Sequence, residues 1–377
     1  MEKIKIKVCE DVSQDIAKAV GSVMPMGHIG VCFLSGDSDI AHKAMSAIGE
    51  FEYKITYIEY PDGSVADEFT VGDVVNAPDD IRLFIGVGGR DVATILGEAC
   101  AKRNTPYWIA TYSPFIYGVG YCVKAAALPI EVYVDAGAYS ARDDYAHCVG
   151  AAIAHRVALW ERKYVYQMLG KYDYSNIKRE QELLDSMIGD GEMADKARIL
   201  EGFVEYAKIA DDTFLSCADI LSQLIERCML TRVRGESMLI AAIALVKYFK
   251  AIMSIEDSRL LIPADISSHC RVLSKMTDID ISEIMKAVTD RKFQGKWLYI
   301  HSEYREDMLK ELNAIDSKLL KIIKSAKRFM GDVGYHLGED YDSNVILTLL
   351  RHLSPLAHEC SPVSMADYLG MVSDQIQ

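Results

Sequence analysis

No stretch of this sequence approaches the roughly 18 to 20 consecutive apolar residues that a membrane-spanning helix needs, because charge interrupts its hydrophobic segments every few positions. The start, MEKIKIKVCEDV, lacks the apolar core and small-residue cleavage site of a signal peptide, so the chain reads as cytoplasmic. No CxxC pair occurs among Cys9, Cys32, Cys100, Cys122, Cys148, Cys217, Cys228, Cys270 and Cys360. Most of them lie in apolar segments such as GVCFLSG and GYCVKAA, where a thiol acts as a small hydrophobe, which argues against disulfides and a thiolate zinc site. No GxSxG elbow is present, and no cysteine sits in a motif that would lower its pKa. Positive charge is short as well, with 41 Lys and Arg against 55 Asp and Glu and a formal charge of -14. Such a chain repels a phosphate backbone unless its cations cluster, and KREQ and RKFQGK read as ordinary solvated faces, so nucleic acid is not an expected partner.

Half of the 377 residues are hydrophobic, enough for a large core in a chain longer than a single core usually serves. Two domains are expected. Over residues 1–145 short β-rich runs alternate with helical stretches: IKIKV, HIGVCFLS, EYKITYIEY, IRLFIGVGG, TPYWIAT and EVYVDAG. That alternation predicts parallel βαβ units in an α/β, doubly wound, Rossmann-like sheet domain. Over residues 146–377 the β-branched runs vanish and segments with helical spacing follow one another, predicting an all-helical domain. In 303–330 the positions Met308, Leu312, Ile315, Leu319, Ile322, Ala326 and Phe329 step by four and three, which marks one buried seam.

The most informative local segment is IRLFIGVGGRDVATILGEACAKRNTP, where an apolar strand runs through Gly86, Gly88 and Gly89 directly into a helix. Glycines let backbone approach an anion, and the amides of a helix N-terminus point at it. A tight strand-to-helix turn also wants glycine for its own sake, and GVGG is not the full dinucleotide fingerprint.

From this turn onward the order of features resembles the superfamily of iron-containing alcohol dehydrogenases, glycerol dehydrogenases, glycerol-1-phosphate dehydrogenases and dehydroquinate synthases. Their pattern reads GxGGGSxxD, a helix, xxPxxxxPTT, a strand ending in Asp, and GxGD opening a helical domain. Here GVGGRDVAT (86–94), NTPYWIATY (104–112), VYVDAGAYSARDD (132–144) and CVGAAIAHRVALWE (148–161) take those places, and Arg234-Gly235-Glu236 stands where the family has HGE. The resemblance implies an NAD(P)-dependent enzyme acting on a small polyol or its phosphate, with cofactor-side residues Gly86, Gly88, Gly89, Arg90, Asp91 and Thr111. It places the ligand in a cleft lined by 86–91, 111–117 and the starts of the helices near 151 and 236. The sequence leaves open whether the chain forms a homo-oligomer.

The same resemblance shows where the pattern is broken. The family holds a divalent metal with one Asp and two His, and the metal polarises the alcohol oxygen for hydride loss. Those positions are Ala151, Asp219 and Arg234 here, and neither a methyl group nor a guanidinium can ligate, so no metal is expected. His147 and His155 lie eight residues apart, too far along a helix to share an ion, and no HxH or HxxxH spacing occurs among the nine histidines. Arg234 would bring a fixed cation to the vacated seat, with Asp219 its favoured partner and Asp212 or Glu226 as others; an exposed Arg at a helix start is the alternative.

On the cofactor side Arg90, Asp91 and Thr94 replace the third glycine, the serine and the closing Asp, Ala110-Thr111-Tyr112 replaces PTT, and Ile116 replaces the substrate-pocket Asp. Asp91 would repel a pyrophosphate unless Arg90 offsets it, so NAD(P) binding is expected to be weakened; alternatively Asp91 caps the helix and Arg90 pairs with it. Three functions stay open: a metal-free oxidoreductase, a non-catalytic homologue that binds a small anion or serves assembly, and a metal-independent lyase or synthase.

Overall fold

The computed structural model describes residues 5–48, 53–111, 127–137, 145–171, 174–189, 196–209, 214–229, 234–255, 265–277, 279–286, 288, 291, 294–329 and 342–369. Its contacts divide the chain into two compact units, residues 1–144 with 203–208, and residues 145–202 with 209–377.

The first unit is built on one parallel sheet. Its strands among the described residues are β1 (Lys5–Cys9), β2 (His28–Leu34), β3 (Lys54–Tyr60), β4 (Ile81–Val87), β5 (Tyr107–Thr111) and β6 (Glu131–Asp135), in the order β1-β6-β5-β4-β2-β3. All six lie where the apolar runs predicted them. The central strands β2, β4 and β5 are buried almost throughout, whereas β1 and β3 at the sheet edges alternate toward solvent. A parallel sheet covered on both faces has this signature, since its crossover helices hide its middle strands.

Alternation along β4 shows the two layers. Leu83, Ile85 and Val87 join Ile29, Val31 and Phe33 in a core with α1 (Val12–Val23) and α2 (Ser38–Ser46). Phe84 and Gly86 point the other way, toward α4 (Arg90–Arg103), which pairs with α3 (Glu68–Val75). Phe84 lies across Gly30 of β2, where a Cβ would come within 2.4 Å of its ring. Arg103 ends α4 by donating to the carbonyls of Val75, Ala77 and Pro78 at 2.7 to 2.9 Å, which satisfies the acceptors left at the end of α3. Asn104 then reverses the chain in the left-handed conformation (φ 53°).

The second unit is helical throughout its described residues: α5 (Tyr145–Met168), α6 (Ser175–Ile188), α7 (Lys196–Ile209), α8 (Cys217–Met229), α9 (Arg234–Met253), α10 (Ile266–Thr277), α11 (Ile281–Lys286), α12 (Lys296–Phe329), α13 (Ser343–Arg351) and α14 (Pro362–Tyr368). Segment 203–208 of α7 groups with the sheet unit. The α12 seam is buried at Met308, Leu312, Ile315, Leu319 and Ile322; the side chains of Ala326 and Phe329 lie outside the described residues. Trp160 anchors the core, stacking on Tyr164 and Phe249 and donating its indole N–H to the Met308 carbonyl at 3.1 Å. No helix among the described residues is long and apolar enough to cross a membrane.

One ion pair is sealed inside this unit, where Arg162 of α5 donates to Glu180 of α6 and both side chains are buried. Breaking such a pair strands a charge, while replacing both partners with apolar groups often restores stability. Arg162→Met should lower the unfolding free energy by about 3 to 5 kcal/mol, and Arg162→Met with Glu180→Leu should recover most of it. Urea denaturation of the two variants checks this; equal losses in both would assign the effect to packing.

Candidate functional site

Reading the sheet as β3-β2-β4-β5-β6, with β1 added at the far edge, the strand order reverses direction between β2 and β4. In open α/β sheets ligands bind outside the carboxyl ends of the strands at such a switch point. Here those ends are the turn Ser35–Asp37 after β2 and Gly88-Gly89 after β4. Thr111, buried at the end of β5, and Asp135, buried at the end of β6, lie on the same edge of the sheet.

The three glycines serve three different ends. At Gly86 a Cβ would fall 2.7 to 2.9 Å from the terminal methyls of Ile109, Leu96 and Val92, so its bare backbone lets α4 settle close against β4. Gly88 has φ of +134°, donates to the Ala110 carbonyl at 2.9 Å, and would put a Cβ 2.6 Å from Asp37 Oδ2. Side chains are therefore excluded from both positions by the fold itself. Gly89 is different. Its backbone is ordinary (φ -91°, ψ -154°), and a Cβ there would meet nothing within 4 Å.

Gly89 is also the N-cap of α4, and no side chain caps that end. Serine, threonine, asparagine or aspartate would cap it better, so glycine keeps the space above the first amides clear. Asp91 lies exposed in the first turn rather than at the cap position. Arg90 opens the helix, with its side chain outside the described residues, as are residues 112–117 of the predicted site.

Asp37 was not singled out by sequence reasoning. Its carboxylate is 5% exposed and packs against Gly88 from the neighbouring strand end. An acidic residue ending the strand beside a glycine turn is the usual partner of a ribose hydroxyl. The signal was present in HIGVCFLSGD, but only the pairing of β2 with β4 brings Asp37 to the turn.

In the helical unit the three positions that the sequence resemblance assigned to metal ligands are Ala151, Asp219 and Arg234. Ala151 is buried on α5 and offers no donor. Asp219, in the first turn of α8, accepts from the Ser216 hydroxyl at 2.6 Å, and Ser216 in turn accepts from the Asp219 amide at 3.1 Å. The side chain of Arg234 lies outside the described residues, as does Asp212, and with them the expected Arg234 pairing. Among the described residues no three His, Cys, Asp or Glu converge so as to hold a metal ion.

Around Asp219 the fold gathers groups that the linear pattern does not connect. Burial holds the His155 imidazole below its ordinary pKa, while the Asp219 charge pulls it back. Glu161, two turns along α5 from His155, is fully buried and accepts from the Cys217 amide at 2.7 Å and the Cys217 thiol at 2.8 Å. Burial pushes the Glu161 carboxyl up to about 7; the Cys217 hydrogen bonds oppose that, and the Asp219 charge adds to it. The Cys217 thiol is driven well above its usual range by burial and then by Glu161. A second histidine pairing also escaped the sequence: His269 and His352 meet at 2.9 Å between Nδ1 atoms across 83 residues.

No family model matches the chain, and no curated protein matches its sequence. Solved structures do match. A 1,3-propanediol oxidoreductase aligns with a TM-score of 0.56 and 9% identity over 98% of each chain. Glycerol dehydrogenase from Schizosaccharomyces pombe aligns with a TM-score of 0.52 and 13% identity over 86% of this chain and 91% of that one. The chain thus has the fold of the superfamily that its motifs resemble, and at these identities the likeness is one of fold.

The Glu161 carboxyl generates a pH prediction. Its folded pKa of about 7 lies above the ordinary 4.5, so its favourable contribution is complete below pH 4.5 and is lost as the pH rises through 7. The shift corresponds to about 3 kcal/mol. Glu161→Gln, which cannot ionise, should gain on the parent by about that amount between pH 4.5 and pH 8. Denaturation curves across this range that stay parallel for the two proteins would show that Glu161 does not titrate there.

Proposed function

We propose that the chain is an oxidoreductase-type protein that binds a nicotinamide dinucleotide at the β4–α4 turn, acts on a small polyol or its phosphate, and does so without the divalent metal of its fold relatives. Gly89 carries this reading. The fold accounts for Gly86 and Gly88 sterically, but among the described residues no contact calls for glycine at 89, which leaves room above a helix N-terminus at the switch point as the reason for it. That position suits a pyrophosphate, and Asp37 beside it suits an adenosine ribose. The same carboxylate would repel a 2′-phosphate, which favours NAD over NADP.

Asp91 opposes the pyrophosphate. Because it is exposed, a water-like dielectric applies, and two charges about 4 Å apart then repel by about 1 kcal/mol, roughly a five- to tenfold loss in affinity. NADH binding is accordingly weakened rather than abolished. Fluorescence titration of NADH should show saturable binding that is lost in Gly89→Leu and strengthened by about five- to tenfold in Asp91→Ser. Gly89→Leu should stay folded and lose no more than a glycine N-cap is worth, about 1 kcal/mol, because a Cβ there meets no described residue within 4 Å. NADH bound equally by parent and Gly89→Leu would refute the site.

Loss of the metal follows from donor chemistry at Ala151 and Arg234, where no lone pair is on offer. The polarisation of the substrate oxygen that a bound metal would supply then has no such donor set here. Elemental analysis of purified protein dialysed against chelator should find zinc and iron far below stoichiometric amounts. About one tightly held transition metal per chain would restore a metal-dependent reading.

A further inference from the structure

On another side of α5 from Ala151 and His155, the helical unit forms a pocket of about 230 Å³, open on one side, between α5, α6 and α12. Ile153 and Arg156 of α5, three residues apart and so on one helix face, contribute to its lining. Ile188, Ile315, Leu319 and Ile322 supply apolar walls from α6 and α12. An engineered apolar cavity of about 150 Å³ takes up benzene, so this one has room for a somewhat larger apolar body.

The charge at this cavity is uneven. Arg156 is 7% exposed, and its contacts with carboxylates are long: 3.4 Å from Nε to Asp185 Oδ1 and 3.5 Å from Nη2 to Glu311 Oε1. Both carboxylates are shared with other cations, Asp185 with Lys318 at 3.3 Å and Glu311 with Lys163 at 2.7 Å. Three cations thus share two carboxylates; Arg156 and Lys318 line the cavity, and Lys163 holds Glu311 from outside the lining. Arg156 Nη1, shielded from water, makes no hydrogen bond among the described residues. A guanidinium nitrogen in that state is under-satisfied, and a buried cation favours an added acceptor.

We infer that this cavity binds a small monocarboxylate with an apolar body, its carboxylate taken by the Arg156 guanidinium and its hydrocarbon by the isoleucine and leucine walls. The single negative charge balances the excess cation, and planar guanidinium is matched to carboxylate geometry. A phosphate monoester would bring close to two charges and would leave the apolar walls unused. The site is independent of the nucleotide reading, since every residue in it belongs to the helical unit.

Calorimetric titration of the full-length protein with hexanoate, hexan-1-ol and hexylammonium tests the assignment. Hexanoate should bind with one site per chain and at least about tenfold more tightly than hexan-1-ol, with hexylammonium weakest. Arg156→Gln should remove the preference of hexanoate over hexan-1-ol. Since Arg156 is held by two carboxylates and that variant could unfold, Ala314→Phe supplies a second arm: Ala314 lines the cavity yet is exposed on α12, so phenylalanine there narrows the opening in a folded protein. Hexanoate binding that Ala314→Phe reduces at least about tenfold supports the site. Equal affinity for hexanoate and hexan-1-ol, hexanoate binding untouched by Ala314→Phe, or no saturation below about 10 mM would each overturn it.

Discussion

The close seating of α4 on β4 is the constraint from which the sheet unit's candidate site follows. A parallel strand must be covered by its crossover helix, and how near that helix comes decides where its N-terminus projects. At Gly86 a side chain would collide with Ile109, and Val92 and Leu96 of α4 occupy the space its absence leaves. The first amides of α4 then lie at the end of β4, beside the turn that ends β2.

The sheet was legible in the sequence because its strands are short, apolar and punctuated by turns. The helices were legible where one face is buried, as along α12 from Met308 to Ile322. Helices such as α6 and α10, with many polar residues, gave weaker signals and were not marked out. At the glycine turn the sequence named the right segment but could not divide the labour among Gly86, Gly88 and Gly89, since that depends on what stands opposite each Cα. Asp37, Glu161 with Cys217, and His269 with His352 were hidden for one shared reason. Their partners come from strands or helices 50 to 83 residues away, and periodicity within a segment carries no information about such pairings.

Across both units, carboxylates stand at helix N-termini. Asp91 stands in the first turn of α4, and Asp219 stands in the first turn of α8. Both positions are favoured by the positive end of a helix, which offsets part of what the charge costs elsewhere. Glu161 meets a helix end too, since it accepts from the amide of Cys217, the first residue of α8, yet burial still pushes its carboxyl up to about 7, near half-ionisation at neutral pH. A helix end can therefore hold an acidic group as a structural part, and deep in the core it offsets only part of the cost of burying the charge.

The position of β1 has a consequence for how the chain is made. Its only described sheet partner is β6, so Lys5 lies opposite Glu131 and Cys9 opposite Asp135. During synthesis at about 5 to 20 residues per second, β1 leaves the ribosome on the order of ten seconds before its neighbour β6. Throughout that interval its backbone donors and acceptors are open to any other extended segment. Lys5 and Lys7 on this short strand keep it charged, and charged side chains on an edge discourage unwanted pairing. β1 is thus translated well before the strand it pairs with, and its lysines guard the nascent chain before they ever meet Glu131.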